Sequence, residues 1–166
     1  MKVTLHLAKP RKMKFPILSW LIRWAEGTPY SHAGVEFHGK LLGIVFDSVA
    51  PRSRVITSMR WHDHYEPVIS FDFELRPEQV QPAFEWAFSN TDKAYSKWQI
   101  TMIGLSHLFR GFGRKVAGKT FNGESRLTCV EAAATFAHMF LGAKFPKSLD
   151  MLGLKDFEKV IEEAAK

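Results

Sequence analysis

Residues 31–49 have the sequence SHAGVEFHGKLLGIVFDSV, which contains the clearest hairpin pattern of the chain. It contains two strand-like runs, Ser31–Phe37 and Leu41–Val49, on either side of residues 38–40. The intervening His-Gly-Lys has the composition of a tight turn. The stretch therefore predicts a β-hairpin.

Strands dominate the first half of the chain and helices the second half. Alternating apolar residues predict further strands at 1–7, 54–57 and 68–75. Apolar residues at helical spacing predict helices at 16–25, 77–89, 98–109, 128–141 and 155–165, with a basic loop at 110–125. This order predicts one α+β domain, residues 1–166, with an antiparallel sheet.

Composition narrows the class of protein. Apolar residues make up 46% of the 166 residues and charged residues 24%, which is typical of a soluble globular protein. The single cysteine cannot form an internal disulfide, so a reducing cytoplasm suits it. The first residues lack the apolar run of a signal peptide, and residues 17–24 are too short to cross a membrane. We expect a cytoplasmic protein with no transmembrane segment, and export by another route stays open.

Basic residues are concentrated near residues 9–14 and 110–119, and the net charge is +6. Such charge could attract nucleic acid, an anionic membrane surface or another polyanion. Solubility explains the charge equally well.

Cys129 stands where a polar stretch gives way to an alanine-rich helix, in the sequence Leu-Thr-Cys-Val-Glu-Ala. A thiol in the first turn of a helix faces unpaired N–H groups and the positive end of the helix dipole, which favour the thiolate. Those amides can also hold an oxyanion. An inert buried cysteine is the alternative.

A cysteine nucleophile needs a base, and His32 is the best of the seven histidines because a strand would hold it rigidly. In a hairpin that turns at 38–40, residues 46 and 47 lie across from His32. Asp47 is therefore the preferred group to orient the imidazole, with Glu36 as the alternative on the same strand face. Tyr30 and Thr128 are candidates for oxyanion or substrate binding.

Residues 61–65 contain two histidines that flank a carboxylate, His62-Asp63-His64. No further cluster at a recognised zinc spacing accompanies them. A surface loop is the preferred interpretation, and neither a metal nor a cofactor is predicted.

The run from Trp20 to Phe37 resembles the histidine motif of the circularly permuted, papain-like cysteine hydrolases of the NlpC-type superfamily, which are related to lecithin-retinol acyltransferase-like proteins. Residues 45–48 resemble the family's second strand with its polar partner, and residues 127–132 resemble its cysteine block. The order His32, Asp47, Cys129 matches the permuted group, in which the histidine precedes the cysteine. The resemblance implies a permuted papain-like fold, in which an antiparallel sheet packs against the cysteine helix.

The resemblance also implies thiolate attack on an amide, ester or thioester carbonyl through an acyl-enzyme. A peptide or isopeptide is the preferred substrate. The alternatives are a non-catalytic basic module that binds a polyanion and a lipid acyl hydrolase or acyltransferase at a membrane surface. The apolar run 17–24 could dock on a membrane, although core packing explains it equally well and the resemblance favours the core.

Overall fold

The computed structural model describes residues 1–11, 16–95, 126–146, 148–149 and 152–166. Its strands are β1 (Lys2–Pro10), β2 (His32–Phe37), β3 (Ile44–Val49), β4 (Arg52–Thr57), β5 (Tyr65–Glu74), β6 (Ala94–Tyr95) and β7 (Arg126–Leu127). Its helices are α1 (Pro16–Glu26), α2 (Ser58–His64), α3 (Pro77–Ser89), α4 (Cys129–Leu141) and α5 (Leu154–Ala164). The predicted helix at 98–109 and basic loop at 110–125 lie outside the described residues.

The strands form one sheet in the order β5-β1-β2-β3-β4-β6-β7. All neighbouring pairs are antiparallel except β6 and β7, which are parallel. The predicted α+β class with an antiparallel sheet is therefore confirmed for the described part of the chain.

The main core lies between one sheet face and the helices α3, α4 and α5. The sheet contributes alternate residues, because successive side chains of a strand point to opposite faces. The core includes Val3, Leu5, Leu7, Val35, Phe37 and Phe46 from the strands and Ala133, Phe136, Phe157 and Ile161 from the helices. Burial of this surface holds α4 against β2 and β3.

A smaller core lies on the opposite sheet face, where α2 covers it. Ala8, Val45, Trp61 and Tyr65 form this cluster, with Ile56 packed against it. The expected surface loop at residues 61–65 was wrong, because Trp61 lies in a helix and is fully buried. Several buried polar side chains share this face, among them His6, His32, Glu36 and Asp47.

The connection between β2 and β3 differs from the predicted tight turn. β2 ends at Phe37 and β3 begins at Ile44, so residues 38–43 connect them. Residues 38–40 have the composition of a turn, but the last pair between the two strands is Phe37 with Ile44. The connection is therefore longer than a tight turn.

Helix α1 begins at Pro16 as predicted, but its aromatic residues do not all enter the core. Trp20 is 57% exposed and Trp24 is 56% exposed, and their rings stack with centroids 6.3 Å apart. The preferred assignment of this run to the core is therefore wrong for these two tryptophans. Among the described residues, no helix is both long enough and apolar enough to span a membrane.

Candidate active site

The thiol of Cys129 lies at the start of α4, as the sequence predicts. Thr128 is the N-cap residue, and its hydroxyl accepts the Glu131 N–H at 3.2 Å. Cys129 is the first residue of the helix and is only 4% exposed. The amides of a first helical turn have no acceptor within the helix, so this position can stabilise negative charge on sulfur or on a bound oxygen.

The pairing between β2 and β3 ends close to the thiol. β2 and β3 pair from Gly34 to Phe37, so Ala33 lies just beyond the paired segment. The Ala33 N–H hydrogen-bonds the Cys129 sulfur and helps to lower the thiol pKa. Ser48, near the end of β3, donates to the carbonyl of Leu127 at 3.0 Å. These bonds attach the start of α4 to both strands.

His32 and Asp47 meet across the same two strands. The imidazole Nε2 lies 2.5 Å from the Asp47 Oδ1, and both side chains are buried. The predicted register was wrong, because Asp47 pairs with Gly34 rather than lying across from His32. Gly34 lies two residues along from His32, so Asp47 still shares the face of His32 and reaches it diagonally.

The second oxygen of Asp47 binds Arg54 on β4. The guanidinium donates to Oδ2 from Nε at 3.0 Å and from Nη2 at 2.8 Å. Burial by itself raises the pKa of Asp47, but His32 and Arg54 outweigh burial and lower that pKa. Asp47 is therefore a carboxylate at neutral pH. Sequence reasoning missed Arg54, although it lies directly across from Asp47 in the register of β3 and β4.

The His32 ring stacks on Tyr65, the first residue of β5. The two rings stack with centroids 4.4 Å apart and an interplanar angle of 16°. Burial by itself lowers the pKa of His32, but Tyr65, Asp47 and Cys129 outweigh burial and raise that pKa well above its usual range. Because Nε2 is occupied by Asp47, Nδ1 is the nitrogen that can exchange a proton with the thiol.

The thiol is activated by its neighbours against the effect of burial. Burial by itself raises the pKa of Cys129, whereas the His32 imidazole, the Ala33 amide and the Tyr95 hydroxyl lower it, and the result is a lowered pKa. The Tyr95 hydroxyl lies 4.0 Å from the sulfur. Burial also raises the pKa of Tyr95, so this hydroxyl keeps its proton and can donate.

Glu36, the alternative orienting residue, lies in a different cluster. Its Oε2 lies 2.7 Å from the Nε2 of His6 and 3.4 Å from the Nε2 of His62. Burial by itself raises the pKa of Glu36, but the hydrogen bond with His6, the Ser58 hydroxyl close by and the nearby imidazoles lower it to about 2. Glu36 is buried rather than solvated, and the carboxylate that bonds His32 is Asp47.

The two candidates for oxyanion or substrate binding have other observed partners. The hydroxyl of Tyr30 donates to Glu158 on α5, and its role in oxyanion or substrate binding stays a prediction. The hydroxyl of Thr128 is occupied in capping α4. Tyr95 is the tyrosine that contacts the sulfur, and nothing in its local sequence distinguishes it.

Together these contacts form an acid–base chain that ends at a sulfur of lowered pKa: Asp47 holds His32, and His32 faces Cys129. Such a chain can transfer a proton from the thiol and return it to a leaving group. No model of a known protein family matches the chain, and no curated protein matches it significantly.

Proposed function

We propose that this protein is a cysteine-dependent hydrolase or acyltransferase of the permuted papain-like, NlpC-type class. The observation that carries the proposal is the buried contact of 2.5 Å between His32 and Asp47 beside a thiol whose pKa is lowered. The position of Cys129 at the start of a helix that packs on the sheet supports the same class, as does the resemblance of its sequence blocks to that superfamily.

In the first half of the reaction, His32 takes the proton of the Cys129 thiol and the sulfur attacks a carbonyl carbon. The carbonyl oxygen becomes an oxyanion, which the amide of Cys129 in the first turn of α4 stabilises. The carbon–nitrogen bond then breaks, the imidazolium gives its proton to the departing amine, and a thioester remains on the enzyme.

In the second half, a water molecule or another acceptor attacks the thioester. His32 takes the proton of the attacking group, the carbon–sulfur bond breaks, and the thiolate is restored. Asp47 keeps Nε2 of the imidazole protonated and oriented throughout, because it holds this nitrogen from outside the reacting centre.

An amide, and in particular a peptide or isopeptide, is the substrate that this charge arrangement favours. An amine leaves only when it is protonated, so it needs a strong general acid at the site. The raised pKa of His32 keeps the imidazole protonated after the thiol has ionised. Esters and thioesters depend less on this proton.

The test measures the ionisation of Cys129. Thiolate absorbance in the ultraviolet and the rate of alkylation by iodoacetamide are both recorded from about pH 4 to 10. The native chain should ionise well below pH ~8.5, the usual value for a free cysteine. His32→Ala should lose this early ionisation, because burial then acts on the thiol without its cationic partner. A screen of peptide, ester and thioester substrates follows, with the acyl-enzyme detected by mass spectrometry.

His64→Ala is the matched control, because this histidine is exposed on α2 and should leave the titration unchanged. Absorbance is measured alongside alkylation since it reports the ionisation of a thiol that a reagent cannot reach. A thiol that titrates near pH ~8.5 in both the native chain and His32→Ala would contradict the proposal.

A lipid acyl substrate is a second candidate, and the exposed pair Trp20 and Trp24 favours it. Tryptophan is enriched where proteins meet the membrane interface. Co-sedimentation with vesicles of anionic phospholipid should be lost in Trp20→Ala/Trp24→Ala if this candidate is correct. Equal sedimentation of the native and double-variant proteins would exclude it.

A further inference from the structure

A second group of polar side chains, two buried and one partly exposed, lies on the α2 face of the sheet, apart from the thiol. It consists of His6 on β1, Glu36 on β2 and His62 on α2. Each offers one ligand atom, and these atoms all lie within 4.8 Å of one another. His6 and Glu36 are each only 5% exposed. Three potential metal ligands from three separate elements therefore converge at the edge of the smaller core.

Contacts on the side of the ring away from Glu36 set the orientation of His6. Its Nδ1 lies 2.8 Å from the hydroxyl of Ser70 on β5, and its ring stacks on Trp61 with centroids 5.1 Å apart. Histidine ligands of metals commonly have their second nitrogen held by such a bond, which fixes the tautomer and the ring direction. Nε2 of His6 is thereby directed to the Glu36 carboxylate.

Ser58 supplies an independent observation at the same place. Its hydroxyl oxygen is buried and makes no hydrogen bond of normal geometry to any described residue. A Cβ built on Gly43 would lie 2.3 Å from this oxygen and 3.3 Å from Oε1 of Glu36, so both oxygens border the same small space. A buried hydroxyl without a well-formed hydrogen bond calls for an explanation, and an ion bound beside it is one.

We propose that His6, Glu36 and His62 bind a divalent transition metal ion, with Zn²⁺ the best match. Two imidazoles and one carboxylate suit zinc, and such sites leave a fourth position for water or another oxygen. Zinc bonds of about 2.0 Å in a tetrahedron place ligand atoms about 3.3 Å apart. The separation between His62 and Glu36 is 3.4 Å, and that between His6 and Glu36 is 2.7 Å and widens slightly when the ion enters.

The ion would cross-link α2 to the neighbouring strands β1 and β2. Trp61 precedes His62 on α2 and packs on both His6 and Tyr65. Metal binding therefore fastens the helix that covers the smaller core. This inference does not depend on the proposed function of Cys129.

The test measures Zn²⁺ affinity of the full chain without a histidine tag, after treatment with a chelator, by competition with a chromophoric chelator. Four proteins are compared: native, His62→Ala, His64→Ala and Cys129→Ala. Native, His64→Ala and Cys129→Ala should each take up one Zn²⁺. His62→Ala should bind at least about 100-fold more weakly, because one of three protein ligands is lost.

His62 is suited to this test because its side chain is 39% exposed, so its truncation spares the buried core. Zn²⁺ should also raise the thermal unfolding midpoint of the native protein and of His64→Ala, but not of His62→Ala. Equal affinity of native and His62→Ala, or no tight uptake by the native chain, would overturn the inference. Loss of binding in Cys129→Ala would overturn it too, since the ion would then lie at the thiol.

Discussion

Two sites, the Cys129 site (Cys129, His32 and Asp47) and the His6 cluster (His6, Glu36 and His62), each contain an imidazole and a buried carboxylate. A different third group completes each of them. In the first, a helix start brings a thiol to His32 and Asp47. In the second, α2 brings another imidazole to His6 and Glu36. The thiol makes the first arrangement suited to nucleophilic attack, whereas the second imidazole makes the other suited to hold a cation.

The two regions are neighbours, and a series of stacked rings connects them. From His32 the series runs through Tyr65 and Trp61 to His6, with centroid separations of 4.4, 5.2 and 5.1 Å. A rigid stack of this kind positions both histidines at once. The chemistry of each site is therefore set by the helix that contributes its third group, α4 or α2, while the sheet and the stacked rings are common to both sites.

The largest effect is expected from Asp47→Asn, which should impair the Cys129 site and leave the His6 cluster intact. The asparagine removes the charge that holds His32, so amide turnover should fall by roughly 10²- to 10⁴-fold. The free energy of unfolding at pH 7 should fall by about 3–5 kcal/mol, since a buried ionic contact loses one partner. Turnover and urea unfolding check these values, and Zn²⁺ binding should persist. Native-like turnover would show that Asp47 does not orient His32.

The pH dependence of that stability loss has a definite sign. The pKa of Asp47 is lowered in the folded state, so its carboxylate stabilises the fold above the unfolded value of about 3.9. This stabilisation disappears as the pH falls through the lower, folded pKa. The stability difference between native and Asp47→Asn, measured by urea unfolding, should therefore shrink below about pH 4. A difference that stays constant from pH 7 to acid would contradict the assignment.

Gly34→Ala should affect both regions, and by a smaller amount. Gly34 lies across from Asp47 on one side and from His6 on the other. A Cβ there would approach the Trp61 ring to 3.1 Å, so the indole must shift by a few tenths of an ångström. We expect a loss of about 1–3 kcal/mol in the free energy of unfolding, with changes in both thiol ionisation and Zn²⁺ affinity.

The double variant Gly34→Ala/Trp61→Phe tests that explanation. The smaller ring leaves room for the new methyl group, so the effects of the two substitutions should be less than additive in urea unfolding. Strict additivity would mean that the methyl group and the indole do not compete for space.

The smallest effect is expected from Tyr95→Phe, which tests how far the Tyr95 hydroxyl lowers the pKa of the Cys129 thiol. The hydroxyl is 4.0 Å from the sulfur and is one of several groups that lower the thiol pKa. Its removal should move the alkylation profile to higher pH and slow alkylation near neutrality by less than about 10-fold. Tyr30→Phe is the matched control, because the Tyr30 hydroxyl bonds Glu158, and its profile should not move. A shift in Tyr30→Phe but not in Tyr95→Phe would reverse the assignment.

Local patterns predicted most of the described elements. The helix at 77–89 was predicted with its observed bounds, and the start of α4 was predicted within one residue. Proline at the start of a helix, a capping threonine and the alternation of apolar residues act within a few residues of chain, so a single sequence displays them. The sequence also indicated Cys129, His32 and Asp47 as a group, because a hairpin brings His32 and Asp47 together and a helix start exposes a thiol to amides.

The side chains that complete each site could be identified only from the folded chain. Arg54, Tyr65 and Tyr95 reach the Cys129 site from three different strands, and no local pattern distinguishes them. His6 and His62 meet Glu36 from elements far apart in the chain, through the register of β1 on β2 and the packing of α2. The physical reason is that periodicity and capping are local, whereas register and helix packing are set by the burial of the whole sheet, which brings together groups that are distant in sequence.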